Sequence, residues 1–166
     1  MPLFDQTKKA IARAVALRRA GDAPGAIDAL AAVLDEDAEN TTANVEIARA
    51  LRLIGDPKEA EEYLRRALKV VLDYQLIVEL AQVVAEQGRV NEAEKLVDAA
   101  WYMAEKNPRL DPGEALLVRA AIAAGRGKND KALATLDRIR DERDISKRTS
   151  PQVKRFAERL RASLVE

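Results

Sequence analysis

Gly125 to Asn129, with the sequence Gly-Arg-Gly-Lys-Asn, bears a superficial likeness to a phosphate-binding loop. Such a loop follows a strand and cradles phosphates with backbone N–H groups and a lysine. The motif also requires a glycine upstream of its Gly-Lys pair and a serine or threonine directly after it. Ile122 and Asn129 occupy those two positions. The segment therefore predicts a tight turn between helices and no nucleotide site.

Acidic side chains between Asp35 and Glu46 mimic the spacing of a calcium-binding loop. The first, third, fifth and twelfth positions, where a hard cation takes oxygen ligands, hold Asp35, Asp37, Glu39 and Glu46. The sixth position of such a loop requires glycine for its sharp turn, and this chain has Asn40 there. We therefore expect a simple turn between two helices here, with Glu46 in the second helix and no metal site.

Two residue types on which much enzyme and metal chemistry depends are missing from the sequence. It has no cysteine and no histidine, which excludes disulfides, thiolate nucleophiles and zinc–thiolate sites and removes the commonest metal ligand. Neighbouring carboxylates such as Glu59, Glu61 and Glu62 are typical of a solvated helix face in a chain with 34% charged residues. We predict that the protein is not an enzyme, and we assign no catalytic, cofactor-binding or metal-binding residue.

The composition indicates which elements must carry the remaining side chains. Of 166 residues, 48% are hydrophobic and 4% aromatic, and the 28 basic residues equal the 28 acidic ones. Alanine and leucine dominate, and both favour helices, so the chain is expected to be all-α. The N-terminal sequence does not read as a signal peptide, and no apolar run reaches the ~20 residues of a membrane span. We therefore expect a cytoplasmic location and no membrane span.

Four glycines recur at nearly regular intervals in a constant local context. They are Gly21, Gly55, Gly88 and Gly127, which lie 34, 33 and 39 residues apart. Each glycine follows an alanine by seven residues and precedes another by five, with leucine or valine four residues further on. Glycine lets the chain leave helical geometry at a turn, and a period in the thirties is typical of stacked helical hairpins.

Apolar spacing and capping residues predict where the helices lie. Nine are expected near residues 5–20, 23–36, 41–54, 57–71, 74–87, 90–106, 113–125, 129–143 and 151–164. Side chains that can accept a hydrogen bond at a helix N-terminus precede several of them. These expected caps are Thr41, Asp56, Asp73, Asp111 and Ser150.

These residues resemble the tetratricopeptide repeat, a ~34-residue hairpin with a small residue late in its first helix, glycine at the turn, and alanine and a large apolar residue in its second. The resemblance implies a right-handed α-solenoid of helix-turn-helix repeats. Four repeats are expected at 7–40, 41–73, 74–107 and 113–146, followed by a capping helix at 151–164, and together they make residues 1–166 a single domain. On the capping helix, the residues expected to face inward are Val153, Phe156, Leu160 and Leu164.

The resemblance also implies which side chains line the concave groove of the repeats. The expected partner-binding residues are Lys8, Ile11, Arg18, Val45, Arg49, Arg52, Val78, Gln82 and Leu117. The first half of this groove is basic and the second half apolar, which suits a peptide with acidic and apolar parts. Two roles stay open for the apolar stripe of Ile11, Val45, Val78 and Leu117, namely a channel for the ligand or packing between repeats.

Trp101 belongs to the one concentration of aromatic side chains, Trp101-Tyr102, just before the lengthened step between the third and fourth repeats. One interpretation is that Trp101 fills a wider gap where the fourth hairpin is displaced. The other is that it is exposed and anchors a partner, since aromatic residues are enriched at the centres of interfaces.

Charge is segregated along the chain although the total is zero. Residues 20–48 contain seven acids and no Lys or Arg, whereas residues 138–161 contain nine bases and four acids. Unevenly charged solvent faces explain this pattern, and head-to-tail association of copies through oppositely charged ends is the alternative. Nucleic-acid binding is disfavoured because the basic stretch has no interleaved aromatic residues and no recognised motif.

The resemblance therefore implies a protein–protein interaction module without a cofactor. We expect a scaffold, adaptor or assembly factor that binds a peptide or protein in the groove. The alternatives are a chaperone for a secreted or membrane-inserting client and a self-assembling structural scaffold.

Overall fold

The computed structural model of the protein describes residues 3–165, with the side chains of residues 5–165. Ten helices follow one another, and the described residues contain no strand. They are α1 (Leu3–Arg19), α2 (Ala23–Glu36), α3 (Thr41–Leu53), α4 (Pro57–Val70), α5 (Tyr74–Glu86), α6 (Val90–Lys106), α7 (Pro112–Gly125), α8 (Asn129–Asp141), α9 (Arg143–Arg148) and α10 (Pro151–Val165). The all-α class is confirmed, and the nine predicted helices end within about two residues of the observed bounds.

The four recurring glycines lie at the turns where the sequence places them. Their φ angles are 89° at Gly21, 78° at Gly55, 77° at Gly88 and 70° at Gly127. A residue that has a Cβ rarely adopts such positive φ angles, which explains why glycine recurs there. Gly125 is the last residue of α7 and Gly127 forms the turn into α8. The segment that resembles a phosphate-binding loop is therefore a hairpin turn.

Side-chain caps fix the starts of several helices. Asp56 and Asp73 accept hydrogen bonds from the backbone N–H groups of residues 59 and 76, at 3.0 and 3.1 Å, as predicted. The predicted cap at Thr41 is wrong, because the preceding residue, Asn40, accepts from the N–H of Ala43 at 3.1 Å. Asn40 thereby occupies the turn that resembled a calcium loop.

The described chain forms two compact units that divide between Gln87 and Gly88. The first unit contains α1 to α5 and the second contains α6 to α10. This boundary lies at the turn of the third predicted repeat. That residues 1–166 form a single domain stays a prediction.

The recurring small residues form the core of the first unit. The alanines before and after the first two glycines are each at most 1% exposed, and so are Leu30 and Leu64. Small side chains let neighbouring helices approach closely, and each leucine fills the space beside them. The periodic sequence pattern is thus the packing pattern of the hairpins.

The second unit has its own apolar cluster, to which α7, α8, α9 and α10 contribute. The cluster consists of Leu116, Ala120, Leu136, Ile139, Ile145 and Ala157. Leu160 and Leu164 pack against it as predicted, and Val153 is buried. The prediction for Phe156 is wrong. Its side chain is 46% exposed and lies beneath the guanidinium of Arg159, while Ala157 takes the inward position.

A hydrogen-bonded clasp holds the lengthened connection between α6 and α7. Arg148, at the end of α9, donates from Nη2 to the carbonyl oxygens of Ala104, Asn107 and Leu110 at 2.5, 3.0 and 3.1 Å. Free carbonyl groups at the end of a helix require such partners, and a cation is favourable there. The backbone N–H of Ser150 donates to Asp111 at 2.8 Å. The helix α9, which the sequence pattern did not predict, therefore closes this connection.

Candidate functional site

Three arginines of the first unit line one open pocket. Arg18 comes from α1, and Arg49 and Arg52 come from α3. The pocket has a volume of about 610 Å³ and is completed by Leu53, Gly55, Pro57 and Glu86. We call it the arginine pocket. The structure thus brings together three of the predicted groove residues.

The helices position these arginines by simple geometry. Arg49 and Arg52 lie three residues apart and therefore on the same face of α3. Arg18 and Arg52 each lie in the last turn of their helix, where the partial negative charge of the helix end favours a cation. Lys8 is exposed on α1, about 15 Å before Arg18 along the helix axis, and does not line the pocket.

Each arginine is bound to a glutamate of the next hairpin. Arg18 Nε donates to Glu46 at 2.9 Å. Arg49 donates to Glu46 at 2.7 Å and forms a two-nitrogen contact with Glu79.

Arg52 continues this pattern toward the end of α5. It donates to Glu86 from two nitrogens, at 2.5 and 3.3 Å, and to Gln82 at 3.1 Å. The predicted groove residue Gln82 therefore orients Arg52. Together, the three arginines and three glutamates form a ladder of ion pairs, which we call the charge ladder.

The charge ladder corrects the prediction of a groove with surplus positive charge. Glu46 and Glu79 balance the arginines from beneath, with side chains that are 8% and 11% exposed. Hydrogen bonding to Glu79 raises the pKa of Arg49 above its ordinary value, against the opposing effect of burial. The guanidinium groups are thus held rigidly in place, and an incoming anion meets oriented donors rather than a net positive field.

Some donors at the pocket remain available. Among the residues that the structure describes, Arg18 bonds through Nε alone, so its two terminal nitrogens have no protein acceptor. Glu86 is the most exposed carboxylate of the ladder, at 44%. It is also the last residue of α5, where the helix end disfavours a negative charge. Arg18 and the exposed Glu86–Arg52 pair are therefore the parts of the pocket that other protein groups hold least firmly.

The predicted apolar stripe contributes less surface than expected. Val45 and Val78 are 7% and 3% exposed, which favours their role in packing between repeats over anchoring of a ligand. Ile11 is half-buried on α1, and Leu117 is half-buried and packs against the cluster of the second unit. The apolar surface beside the arginines comes instead from Leu53, at 58% exposure, and from Pro57.

Sequence reasoning missed Leu53, Pro57 and Glu86. A signal for Glu86 was present, since it lies 34 residues after Arg52, one repeat period away. The corresponding separations for the other pairs are 28 residues for Arg18 and Glu46 and 30 residues for Arg49 and Glu79. A base followed by an acid about one repeat period later is thus the sequence pattern that indicates the charge ladder.

Trp101 is half-buried in the second unit and packs against its apolar cluster. The guanidinium of Arg138 lies over its ring, 4.9 Å from the centroid, a favourable cation–π distance. These contacts support the interpretation that Trp101 fills space beside the fourth hairpin. Its neighbour Tyr102 is 61% exposed, with the ammonium of Lys106 at 5.4 Å from its ring.

The basic C-terminal stretch is partly used in internal contacts. Arg138, Arg140 and Arg161 pair with acids of α8 and its C-cap, and Arg148 belongs to the clasp. Exposed bases without a protein acceptor among residues 3–165 remain at Arg143, Lys147 and Arg155.

Within residues 3–165, no cluster of three or more acidic, histidine or cysteine side chains is arranged to hold a metal ion. None of the helices in this range combines the length and the apolar character that crossing a bilayer requires.

Comparison with known proteins assigns the chain to a family. Solved structures with the same fold include TTC0263, a thermophilic TPR protein in Thermus thermophilus, at 19% identity and a TM-score of 0.72 over 95% of this chain and 82% of that one. PilW, a type IV pilus biogenesis factor, is 18% identical and has a TM-score of 0.69, over 96% of this chain and 77% of that one. YrrB, a TPR protein with an unusual peptide-binding site, is 17% identical and has a TM-score of 0.64, over 94% of this chain and 83% of that one.

A search of curated proteins gives no match. The family description that matches is the tetratricopeptide repeat protein 21 ARM repeat, over residues 26–149. This match spans most of the chain, in agreement with the helical hairpins and their glycine turns. The chain therefore belongs to the tetratricopeptide repeat protein 21 ARM repeat family.

Proposed function

We propose that the protein is a scaffold or adaptor that binds a peptide segment of a partner at the arginine pocket. The observation that carries this proposal is the convergence of Arg18, Arg49 and Arg52 on one open pocket beside the exposed apolar side chain of Leu53. Helical-repeat folds of this kind are typically non-catalytic interaction modules. A peptide-binding site in the structurally similar YrrB gives further support.

The chemistry of the pocket indicates a ligand that combines an acidic group with an aliphatic side chain. The acidic group binds the terminal nitrogens of Arg18 and replaces Glu86 on Arg52. The aliphatic side chain lies on Leu53 and Pro57. Because the charge ladder already orders the arginines, little side-chain entropy is lost on binding.

The test uses a phage-displayed library of random peptides. We expect selected peptides to carry acidic and aliphatic residues. Their affinity should fall about tenfold in Arg18→Gln combined with Arg52→Gln, because two charged hydrogen-bond donors are lost. Glu86→Gln should act in the opposite direction and strengthen binding about threefold, because the competing carboxylate is removed.

The matched controls are Arg13→Gln and Glu62→Gln, which alter exposed residues of α1 and α4 away from the pocket. Fluorescence anisotropy should give unchanged affinities for both. A library that yields no binder, or binders indifferent to Arg18 and Arg52, would place the function elsewhere.

Two alternatives remain within the same fold. A chaperone for a secreted or membrane-inserting client would use the same pocket, and co-purification of one apolar client would favour it. Self-assembly is the second candidate function. It is favoured by the seven acids without a base at residues 20–48 and the local charge of +5 from nine bases and four acids at 138–161.

A further inference from the structure

A small pocket in the second unit lies between α8 and α10, with α9 at one end. Its volume is about 90 Å³. The lining residues are Leu136, Ile139, Arg140, Ser146, Lys154, Ala157, Glu158 and Arg161. We call it the α8–α10 pocket. It has no residue in common with the arginine pocket.

The floor of the α8–α10 pocket is apolar and firmly packed. Leu136, Ile139 and Ala157 are 3%, 2% and 5% exposed and belong to the apolar cluster of the second unit. The position of these side chains is therefore fixed by the core. A cavity of about 90 Å³ suits a small apolar group such as one branched aliphatic side chain.

The rim supplies hydrogen-bond donors that the protein itself does not use. Within residues 3–165, the ammonium of Lys154 and the hydroxyl of Ser146 have no protein acceptor. Arg161 donates through Nη1 to Asp137 at 2.5 Å, which leaves Nε and Nη2 for another acceptor. The donors come from two different helices but face one pocket.

The acids near the rim are largely committed. Asp137 is shared by Arg140 and Arg161. Asp141 binds Arg140, and hydrogen bonding to that guanidinium lowers the pKa of the Asp141 carboxyl. Glu158 is the one acid that lines the pocket, against three bases. A carboxylate placed at the rim therefore meets Lys154, Ser146 and Arg161 as donors.

We propose that the α8–α10 pocket binds the C-terminal residue of a partner polypeptide, with an aliphatic side chain on the floor and the terminal carboxylate at the rim. Aliphatic burial supplies the affinity, and the free carboxylate supplies selectivity, because it is the acceptor that Lys154 and Ser146 lack. The rim is open to solvent at Lys154 and Glu158, so the preceding residues of the partner can leave the pocket.

The probe is the tripeptide acetyl-Ala-Ala-Leu with a free carboxylate, titrated into the full chain and followed by amide chemical shifts. We expect shifts at residues 136–146 and 154–161. The same tripeptide with a C-terminal amide should bind about tenfold more weakly, because the charged acceptor is gone. Acetyl-Ala-Ala-Ala acid should also bind more weakly, because the floor is left partly empty.

Lys154→Gln should weaken binding of the acid about fivefold and leave binding of the amide unchanged. Arg155→Gln is the matched control, since it removes a positive charge from the neighbouring, exposed position of α10. Equal binding of acid and amide, equal effects of the two substitutions, or shifts outside the pocket would overturn the proposal. Both substitutions lie in the second unit, so this result is independent of the arginine pocket.

Discussion

Arg49 is the residue on which the charge ladder depends. It is the shared partner of Glu46 and Glu79, whose side chains are almost buried. A cation in this position offsets the desolvation of two carboxylates, and its removal leaves Glu79 without the cation it binds in the ladder. Arg49→Glu would add a third carboxylate beside Glu46 and Glu79. A loss of binding in that variant would therefore reflect misfolding and not the loss of a ligand contact. Arg18 and Arg52 are therefore the residues to substitute in binding tests.

Arg49→Met is expected to lower the free energy of unfolding by about 2 kcal/mol, because a nearly buried carboxylate is left unpaired. Urea denaturation followed by circular dichroism measures the change. Arg13→Met, at an exposed position of α1, should stay within about 0.5 kcal/mol of the parent. Equal stabilities of the two variants would show that the ladder contributes nothing to folding.

The sequence allowed the arginines of the site to be predicted but not their surroundings. Arg18 and Arg52 lie three residues before Gly21 and Gly55, at equivalent positions of two repeats, and Arg49 lies one helical turn before Arg52. Their convergence therefore follows from periodicity and helix geometry. Their pairing with glutamates depends on how far one hairpin is shifted along the next, which periodicity alone does not determine. The same reason explains why Val45 and Val78 are buried rather than available to a ligand.

At the scale of elements, the start of α7 is held by close packing against the segment after α9. A Cβ on Gly113 would lie 2.4 Å from both the Cγ2 and the Oγ1 of Thr149. Thr149 is 4% exposed and donates to the carbonyl of Ile145 at 2.7 Å, so its side chain cannot move aside easily. The glycine here is required by the neighbour and not by its backbone angles.

Gly113→Ala is therefore expected to destabilise the protein by about 2 kcal/mol through overpacking. Gly125→Ala is a matched control at the other end of the same helix, where a Cβ would meet nothing within 4 Å. It should be neutral or slightly stabilising, since alanine loses less backbone entropy than glycine. Thermal unfolding of the two variants separates these outcomes, and equal midpoints would contradict the close packing at Thr149.

The element that sequence analysis missed shows the limit of local patterns. The six residues of α9 include one apolar side chain, Ile145, so they carry no helical periodicity. Their position depends on bonds from Arg148 to carbonyl groups 38 to 44 residues earlier. Phe156 was misplaced because it and Ala157 are neighbours on α10, and packing against the cluster favoured the smaller side chain.

At the scale of the whole molecule, the balanced total charge conceals two oppositely charged stretches. Residues 20–48 contain seven acids and no base, although Glu46 pairs with Arg18 and Arg49, and bases outnumber acids by five at 138–161. Arg143, Lys147 and Arg155 are exposed there without an acceptor among residues 3–165. Opposite charges of this kind attract copies of a chain at low ionic strength, and salt screens the attraction within about 10 Å.

If these stretches drive self-association, sedimentation velocity should show larger species at ~10 mM salt that dissociate at ~500 mM salt. Lys147→Glu combined with Arg155→Glu should reduce the association, because the attraction becomes partly repulsive. Arg13→Glu, which changes the net charge outside both stretches, serves as a control. A monomer at high protein concentration in both salts would rule out assembly through charge.

The charge ladder also has a consequence for how this chain can be rebuilt. Arg18 binds Glu46 and Arg49 binds Glu79, so each of these hairpins supplies the base of an ion pair whose acid lies on the following hairpin. Deleting the first hairpin would leave the almost buried Glu46 with Arg49 alone, and deleting the second would remove the base that the almost buried Glu79 binds. These hairpins therefore cannot be reordered or removed without the loss of ion pairs of the charge ladder.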